Sequence, residues 1–444
     1  MENLYGRLCT EKEMRGRNKS ETIALDSFID GKCFRCGSLE TAGLPNGAFY
    51  CRACVDFGAV RSDRKLWWTP AKSFPAKDCM VWNGQLTSFQ EMVSRGILES
   101  YERRVPCLVH AVTGAGKTEM LYPLIDKVLK EGQTICIASP RIDVCQELHK
   151  RLLRDFDLAI PLLYGGSKDQ GMGQVTIATT HQLLKYHKAF DILVVDEVDA
   201  FPYVDNPMLY YGVERVSDLT LFLTATSTDQ LDQMVAKGEL KRLSLARRFH
   251  GNPLVVPQGR VFNSFRKKIK KGKLPQNLKR DLLKQRKSKY PLLIFIAEIE
   301  FGKECCRLLE ELCPQEKIGF VASNTEDRKE IVQSFRTGET KILLSTTILE
   351  RGVTFPGVDV FVLEADHKLF TRSSLVQIAG RVGRSMGRPT GLCYFYYETK
   401  TKAINQAIRE IKMMNKEAEE IFEKVHHLPN SNQGDMDSHQ TFAI

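Results

Sequence analysis

The sequence lacks the long apolar segments that insertion into a membrane requires. No uninterrupted apolar run among its 444 residues reaches the length of a membrane-spanning helix. The N-terminus carries charges at Glu2, Arg7 and Glu11, where a signal peptide would have an apolar core. We therefore expect a cytoplasmic protein whose contact with the membrane, if it has one, is peripheral.

The cysteines also lack the pattern of a disulfide framework. The chain has thirteen cysteines, an odd number, and Cys107, Cys136 and Cys393 lie in apolar strand-like runs. This distribution is typical of buried, reduced thiols and a metal site rather than of a disulfide-stapled protein.

Acidic residues are too few to balance the basic ones. Lysine and arginine together number 64 against 54 aspartates and glutamates, which gives a formal net charge of +10. Basic residues are dense between positions 241 and 289. A solvated basic surface would explain this charge, and so would a surface that binds a polyanion.

The segment 111–118 (AVTGAGKT) has the pattern of a phosphate-binding loop. It follows an apolar strand-like run and precedes a helix-like stretch, the context that such a loop requires. Backbone amides of the loop can surround an anion, while Lys117 reaches the β- and γ-phosphates of ATP and Thr118 holds Mg²⁺. The loop residues predicted to bind ATP are Thr113, Gly114, Ala115, Gly116, Lys117 and Thr118. Ala111 replaces the first glycine of the usual pattern, a variant common among helicase-like motors.

A second motif places carboxylates beside this loop. The apolar run Ile192–Val195 leads into Asp196, Glu197 and Asp199, so a buried strand delivers them to the carboxyl edge of a parallel sheet. Asp196 is predicted to hold Mg²⁺ through water, and Glu197 to orient and deprotonate the attacking water. Hydroxyls of the next strand end, Thr224–Thr226, are expected to sense this acidic segment.

Residues outside these two motifs complete the predicted ATP site. The amide of Gln90 can bind the edge of adenine, although an ordinary surface position is the alternative. Arg381 and Arg384 are three residues apart and so share one helical face. If their lobe faces the phosphate loop, both act as arginine fingers on the γ-phosphate; a salt-bridged helix is the alternative.

Two CxxC pairs near the N-terminus have the spacing of a structural zinc site. Fourteen residues separate Cys33 and Cys36 from Cys51 and Cys54. Each pair places two thiolates on one tight turn, and two such turns close a tetrahedron around Zn²⁺. A redox role would need only one pair. The ribbon can serve either contact with nucleic acid or the stability of its own domain, and the sequence does not choose between them.

Strand-like runs alternating with helix-like stretches predict the fold. One set of runs covers 108–112, 134–138, 175–179, 192–195 and 221–224, and a second covers 292–296, 318–321, 342–345, 358–363 and 392–397. This alternation predicts an α/β protein with two parallel-sheet lobes behind the small zinc ribbon. Aromatic residues that follow the ribbon (Trp67, Trp68, Phe74 and Trp82) are interpreted as packing that docks it on the larger domain.

The predicted domains follow from these patterns. They are an N-terminal segment (1–30), the zinc ribbon (31–62), a linker (63–85), lobe 1 (86–250), a basic connector (251–290), lobe 2 (291–400), a C-terminal helix (401–428) and a disordered tail (429–444).

The motifs AVTGAGKT, DEVD, TAT, TTILERG and QIAGRVGR, in this order, resemble those of superfamily 2 helicases over roughly residues 86–400. The resemblance implies two RecA-like lobes that bind ATP between them, with Gln377 as a sensor of the γ-phosphate. The residues it implies for contact with a nucleic-acid backbone are Arg141, Thr179, Thr180, Thr346 and Thr347.

A narrower resemblance covers nearly the whole chain. The four-cysteine ribbon, the entry segment 82–87 (WNGQLT) and the compact motor are similar to the late competence protein ComFA family. That resemblance implies a motor that is driven by ATP and stimulated by single-stranded DNA, at the cytoplasmic face of the DNA uptake channel. It implies ATP, Mg²⁺ and Zn²⁺ as cofactors and the competence proteins ComFC and ComEC as partners, and it is compatible with a homo-oligomer.

Two other functions compete with this one. A duplex-unwinding DNA or RNA helicase of repair or replication restart would use the same engine. A non-enzymatic zinc adaptor with a relic ATP site would not need Lys117, Glu197 and Arg384, all of which are intact.

Overall fold

The computed structural model describes residues 4–167, 170–350, 353 and 355–426. It contains two parallel sheets wrapped by helices, one sheet in each lobe, and a small antiparallel module at the N-terminus. The α/β fold with two lobes is therefore as predicted. No helix in the described part of the chain is long and apolar enough to cross a membrane.

The N-terminal module is built from very short strands. They are β1 (Leu8–Thr10), β2 (Ile23–Leu25), β3 (Phe28–Ile29), β4 (Lys32–Cys33), β5 (Thr41–Gly43), β6 (Phe49–Cys51) and β7 (Leu66–Trp68). β7 pairs with both β1 and β2, while β3 pairs with β4 and β5 with β6, all antiparallel. Such strands form few ladder hydrogen bonds, so the module depends on its cysteine cluster and on contact with the first lobe.

Aromatic side chains dock this module and the following segment on lobe 1. The indole Nε1 of Trp68 donates to the carbonyl oxygen of His187 at 2.7 Å, and the two rings meet edge to face with centroids 5.2 Å apart. Trp82 packs edge-on against Tyr122. The interpretation of these tryptophans as packing residues is confirmed.

Lobe 1 is a seven-stranded parallel sheet with the order β10-β11-β9-β12-β13-β8-β14. Its elements are α1 (Ser88–Glu102), β8 (Cys107–Ala111), α2 (Tyr122–Lys130), β9 (Ile135–Ser139), α3 (Ile142–Asp155), β10 (Leu162–Leu163), β11 (Val175–Thr179), β12 (Phe190–Asp196), α4 (Pro207–Val216), β13 (Ser217–Thr224), α5 (Asp229–Ala236) and β14 (Lys241–Leu245). The five predicted runs form its central strands. The two edge strands were missed because β10 has two residues and β14 (KRLSL) is rich in polar ones.

Lobe 2 is a six-stranded parallel sheet with the order β15-β20-β19-β16-β18-β17. Its elements are β15 (Gln258–Val261), α6 (Phe265–Lys270), α7 (Gln276–Arg286), β16 (Leu292–Phe295), α8 (Ile299–Leu312), β17 (Ile318–Val321), α9 (Arg328–Arg336), β18 (Ile342–Ser345), β19 (Asp359–Val362), α10 (Arg372–Ala379), β20 (Cys393–Tyr397) and α11 (Lys402–His426). The predicted tail, 429–444, lies outside the described residues.

Residues 251–290 are more than the basic connector that the sequence predicts. β15 forms the edge of the second sheet by pairing with β20. Four apolar side chains of α6 and α7, those of Phe265, Ile269, Leu278 and Leu282, are at most 1% exposed. Because lysines are so numerous in this span, the few apolar residues that anchor its helices give only a weak pattern in the sequence.

The two faces of the second sheet have different neighbours. Leu292 and Ile294 pack with α6, α7 and α8 in one core. Leu293 and Phe295 point to the other face and belong to the core that continues into lobe 1 through α10 and α11. Because side chains alternate across a strand, α6 and α7 cover the face of lobe 2 that lies away from lobe 1.

Candidate active site

The motifs of both lobes meet in one cavity of about 660 Å³. Ligand pockets commonly measure roughly 300–1,000 Å³, so a nucleotide fits this size. Of the predicted ATP-site residues, those that line the cavity are Gln90, Thr113, Gly114, Ala115, Gly116, Lys117, Thr118, Asp196, Glu197, Gln377 and Arg384.

The phosphate loop leaves β8 in a turn that requires glycine at two positions. Gly114 and Gly116 have φ angles of 79° and 75°, which residues with side chains rarely adopt. A Cβ on Gly116 would also lie 2.3 Å from Nε2 of Gln90. After the loop the chain forms a 3₁₀ turn, Glu119–Leu121, and then α2. The loop thus forms one wall of the cavity.

Gln90 holds this loop in place. Its Nε2 donates to the carbonyl oxygens of Ala115 at 2.9 Å and Gly116 at 3.2 Å. Its Oε1 accepts from the backbone amide of Thr87 at 2.9 Å, and the Thr87 hydroxyl accepts from the backbone amide of Gln90, which caps α1. Both ends of the amide are thus engaged with the protein in this structure, and Gln90 also lines the cavity, so its contact with adenine stays a prediction.

β12 brings Asp196 and Glu197 to the same cavity. Residues 192–195 of the strand are completely buried, which fixes the position of its end. Glu197 has a φ of 56°, a strained value for a residue with a side chain, and such strain clusters at functional sites. Its amide donates to Oδ1 of Asp196 at 2.9 Å. This turn sets both carboxylates beside Lys117 in the cavity wall.

The last acidic residue of the motif joins the two lobes. Thr224 donates from Oγ1 to Oδ1 of Asp199 at 2.8 Å, so the predicted contact between this strand end and the acidic segment is confirmed. Ser373, on α10 of the second lobe, donates to Oδ2 of the same carboxylate. Asp199 therefore links the carboxylate motif to the helix that precedes the arginines.

The two arginines that the sequence pairs occupy different positions. Arg384 lines the cavity, and its Cγ lies 3.3 Å from where a Cβ on Gly114 would be. Arg381 is 4% exposed and donates to the carbonyl oxygen of Val353. Arg384 is thus the one of the two that reaches the cavity in this structure, while Arg381 packs behind it.

Burial and neighbouring cations lower the pKa of both guanidinium groups. Burial, followed by the proximity of Arg384 and Arg141, lowers the pKa of Arg381 to about 9. Burial and nearby Arg151 also lower the pKa of Arg384, against the opposing effect of Glu197. Buried cations this close together are costly unless an anion joins them. The cavity is therefore electrostatically suited to a polyphosphate.

Several lining residues have no signal in the motifs. Arg151 of α3 lines the cavity and pairs with Glu119 at 3.5 Å. Trp82, Phe249 and Phe355 supply aromatic surface to the same cavity. Arg151 is four residues from Glu147 on a helix, a spacing that predicts an ordinary surface ion pair. Only the fold shows that it faces the phosphate loop.

Of the residues expected to touch nucleic acid, Arg141 lies where the lobes meet. Arg141 donates from Nη2 to the carbonyl oxygen of Ile348 in lobe 2 at 3.3 Å. The exposed fractions of Thr179, Thr180 and Thr346 are 5%, 1% and 9%, and Thr347 is half-buried. The structure brings Arg141 to the segment that carries Thr346 and Thr347, but it leaves most of these hydroxyls covered.

The four predicted zinc ligands form one closed cluster. The Sγ atoms of Cys33, Cys36, Cys51 and Cys54 are buried and lie within 4.8 Å of one another, with separations of 3.8 Å for Cys33–Cys54 and 3.5 Å for Cys36–Cys51. Thiolates bound to Zn²⁺ at about 2.3 Å in a tetrahedron lie about 3.8 Å apart, so the cluster fits this ion.

A buried arginine ties this cluster to lobe 1. Arg215 of α4 donates to the carbonyl oxygen of Phe34, inside the first cysteine pair. It also donates to the carbonyl oxygens of Leu184 and Tyr186, at 3.2 Å each. Burial lowers the pKa of Arg215 to about 10. The four-cysteine module is therefore attached to the first lobe through bonds from one side chain to backbone carbonyls, which no motif predicts.

Models of two helicase families match the chain. The DEAD/DEAH box helicase model matches residues 87–234, and the helicase conserved C-terminal domain model matches residues 270–386. Among solved structures, RecG bound to a three-way DNA junction aligns with a TM-score of 0.51 at 18% identity, covering 79% of this chain and 48% of the RecG chain. That likeness concerns the fold alone.

Two relatives match along almost their whole length. Competence protein ComFA of Streptococcus pneumoniae is 55% identical over 422 residues, which cover 93% of this chain and 98% of that protein. Competence protein ComFA of Bacillus subtilis is 35% identical over 404 residues, which cover 88% of this chain and 87% of that protein. The chain therefore belongs to the competence protein ComFA family and has a helicase-like ATPase core.

Proposed function

We propose that this protein is an ATP-dependent translocase of single-stranded DNA that drives DNA uptake through a membrane channel during natural transformation. The observation that carries the proposal is the single cavity in which the phosphate loop, the β12 carboxylates and Arg384 of the opposite lobe meet. Membership in a family of competence proteins supplies the biological context.

The first lobe holds the nucleotide and activates water in this proposal. Lys117 contacts the β- and γ-phosphates, and Thr118 and Asp196 hold Mg²⁺, which neutralises phosphate charge. Glu197 orients the attacking water and accepts its proton. Gln90 keeps the phosphate loop in its binding conformation through its bonds to the loop carbonyls.

The second lobe completes the site. Arg384 stabilises the charge that spreads over the γ-phosphoryl group as it is transferred, and Gln377 of α10 senses that group. Arg381, packed behind the cavity wall, adds a second positive charge to the turn after α10 and so favours an anion there. Because these groups come from lobe 2, hydrolysis depends on lobe closure.

Movement along a strand follows from this division of the site. Loss of the γ-phosphate removes the anion shared by Lys117 and Arg384, so the lobes can separate. Separation breaks the bond from Arg141 to lobe 2 and moves the strand contacts of lobe 1 away from those of lobe 2. We propose Arg141, Thr179, Thr180, Thr346 and Thr347 as contacts to the phosphate backbone of one strand that bridges both lobes and favours their closure.

The setting of the motor is proposed from the family. ComFC and the ComEC channel are the proposed partners, and the protein is held at the cytoplasmic face of the membrane by contact with them. Zn²⁺ in the four-cysteine cluster stabilises the module that docks on lobe 1.

Steady-state ATP hydrolysis with single-stranded DNA, blunt duplex DNA and RNA supplied in turn tests the proposal. A strand that spans both lobes should close them and bring Arg384 to the phosphates. An arginine finger contributes on the order of 10³-fold or more to such reactions, so stimulation by single-stranded DNA should be large. Blunt duplex should stimulate little, and strand separation should be weak.

The alternatives give different results in the same assay. Better stimulation by RNA, or best stimulation by blunt duplex, would favour a duplex-unwinding helicase of repair or replication restart. No stimulation by any polymer would reject the translocase. Lys117→Ala protein, purified in parallel, measures the background from contaminating ATPases.

A further inference from the structure

A buried arginine outside every motif crosses from lobe 1 to the turn that carries the arginine fingers. Arg248 follows β14 and is 2% exposed. Its Nη1 donates to the carbonyl oxygens of Val382 at 2.8 Å and Gly383 at 2.5 Å. Its Nη2 donates to the carbonyl oxygen of Gly380 at 3.0 Å. Three carbonyls of one turn thus accept from one guanidinium.

The amides of Gly380, Arg381 and Val382 in that turn donate back to α10, whereas carbonyls of the same turn accept from lobe 1. α10 ends at Ala379, and Gly383 has a φ of 68°. A Cβ on Gly383 would lie 2.2 Å from the carbonyl oxygen of Pro389 and 3.1 Å from Nη1 of Arg248. Nε2 of His250 lies 3.1 Å from the Gly383 carbonyl oxygen. The backbone between Arg381 and Arg384 is therefore held from the opposite lobe.

The same segment of lobe 1 also borders the phosphate loop. The amide of Phe249 donates to the carbonyl oxygen of Gly114 at 3.2 Å, and Val112 donates to the carbonyl oxygen of Leu245 at 3.1 Å. Nε of Arg248 is buried without a hydrogen-bond partner in the described part of the chain. It lies 3.9 Å from where a Cβ on Gly114 would be. Residues 245–250 therefore touch both halves of the composite site.

We propose that Arg248 is a positioning residue that sets the finger turn against the phosphate loop, so that Arg384 reaches the γ-phosphate when the lobes close. The inference rests on the proposed hydrolysis of ATP at this cavity, but not on which polymer the motor follows. A guanidinium has five donors in a rigid fork and can hold three carbonyls at once, whereas a lysine ammonium on a flexible stem cannot fix the same geometry.

The test compares Arg248→Ala and Arg248→Lys with the wild type, using kcat and KM for ATP. Turnover is divided by the number of competent sites, which are counted by titration with ADP. A partly unfolded preparation is then not mistaken for one with slower catalysis. Misplacing a catalytic group by about 1 Å can cost on the order of 10²-fold, and we expect kcat to fall by this order in both variants. KM and ADP binding should change little. Binding of ADP with aluminium fluoride, which mimics the transferred phosphoryl group, should weaken.

Arg215 provides a matched control. It is also a buried arginine that donates to three backbone carbonyls, but it lies at the zinc module, outside the residues that line the cavity. Arg215→Ala should lower the thermal midpoint as much as Arg248→Ala does. Its kcat per competent site should stay at the wild-type value.

A double-mutant cycle separates positioning from general stability. If Arg248 acts through Arg384, the double variant should have the kcat of Arg384→Ala alone, because the finger is already lost. Wild-type kcat per site in Arg248→Ala, or fully additive losses in the double variant, would overturn the inference. The cycle is measured with the polymer that stimulates the wild type most, and on DNA-free hydrolysis if none does, so a wild type that single-stranded DNA fails to stimulate would reject the translocase proposal and leave this test intact.

Discussion

The four-cysteine cluster and the ATP cavity are assembled in opposite ways. All four cysteines come from one stretch of 22 residues, 33–54, and their Sγ atoms lie within 4.8 Å of one another. The cavity draws on residues from Trp82 to Ser385 and on both lobes. One site is made by local turns, and the other exists only where two lobes meet.

This difference explains what each site can do. A closed set of buried thiolates has one arrangement, which suits a structural ion. In the proposed mechanism, a site divided between lobes has at least two arrangements, since Lys117 and Arg384 share a ligand only when the lobes are closed. An ATPase motor needs the second kind of site, because binding and loss of phosphate must move one lobe relative to the other.

The largest effect is expected at the phosphate loop. Lys117→Ala removes the charge that contacts the β- and γ-phosphates and should lower ATP turnover by about 10²-fold or more. Zinc content should not change, because the two sites are built from separate segments. Lys130→Ala, an exposed position on α2, is the control. Near-normal turnover in Lys117→Ala, checked by phosphate release, would remove the active-site assignment.

A different failure is expected when the carboxylate that activates water is replaced. Glu197→Gln keeps the shape of the turn but cannot accept a proton, so hydrolysis should stop while ATP still binds. The lobes should then stay closed on the nucleotide, and nucleotide and DNA should dissociate slowly. Nucleotide retention on a filter measures this directly. A variant that no longer binds ATP would contradict the role given to Glu197.

The same contrast decides how much the sequence alone could predict. The cysteine spacing predicts the cluster completely, since a tight turn fixes the two thiols of each pair. Long apolar runs such as 192–195 predict the buried central strands. In both cases the information lies within a short segment, so no knowledge of the assembled fold is needed.

Contacts between distant segments were not predictable in this way. Nothing local distinguishes Arg384, which lines the cavity, from Arg381, which packs behind it. Gln90 matches an adenine-binding position in sequence, yet its amide is committed to the phosphate loop. Arg151 and Arg248 belong to no motif, and only the packing of two lobes gives them a role. These assignments depend on which surfaces face each other, and spacing in one chain does not encode that.

Removing a zinc ligand should have a smaller effect on turnover than the changes at the cavity. Cys51→Ser cannot supply a thiolate, so the ion should be released and the N-terminal module should unfold at a lower temperature. DNA-free hydrolysis should largely persist, because the cavity lining begins at Trp82. Metal analysis and thermal unfolding check the prediction. Cys393→Ser, at a buried cysteine of lobe 2 outside the cluster, is the control for the loss of any thiol.

The smallest effect on ATP turnover is expected from substitutions on a surface that belongs to neither site. Asp281 is the one acidic residue between positions 265 and 290, and it is buried beside Arg260. The exposed lysines of α6 and α7 lie on the face of lobe 2 away from the cavity and have no ion pairs in the described part of the chain. Such a face attracts a polyanion through charge alone and should not alter the chemical step.

Matched triple variants measure this contribution. One replaces Lys270, Lys279 and Lys284 with glutamine, and the other replaces Lys237, Lys329 and Lys412, three exposed lysines on other elements. Both remove three positive charges, so the net charge of the protein changes equally in the two variants.

If the α6–α7 face holds phosphates of single-stranded DNA, the first variant alone should bind an oligothymidylate more weakly. The slope of log affinity against log salt should then become shallower by roughly 0.7 for each phosphate that the protein no longer neutralises. Equal slopes in the two variants would show that the lysines act only through net charge. DNA-free turnover should be unchanged in both, since the cavity is on the opposite side of the sheet.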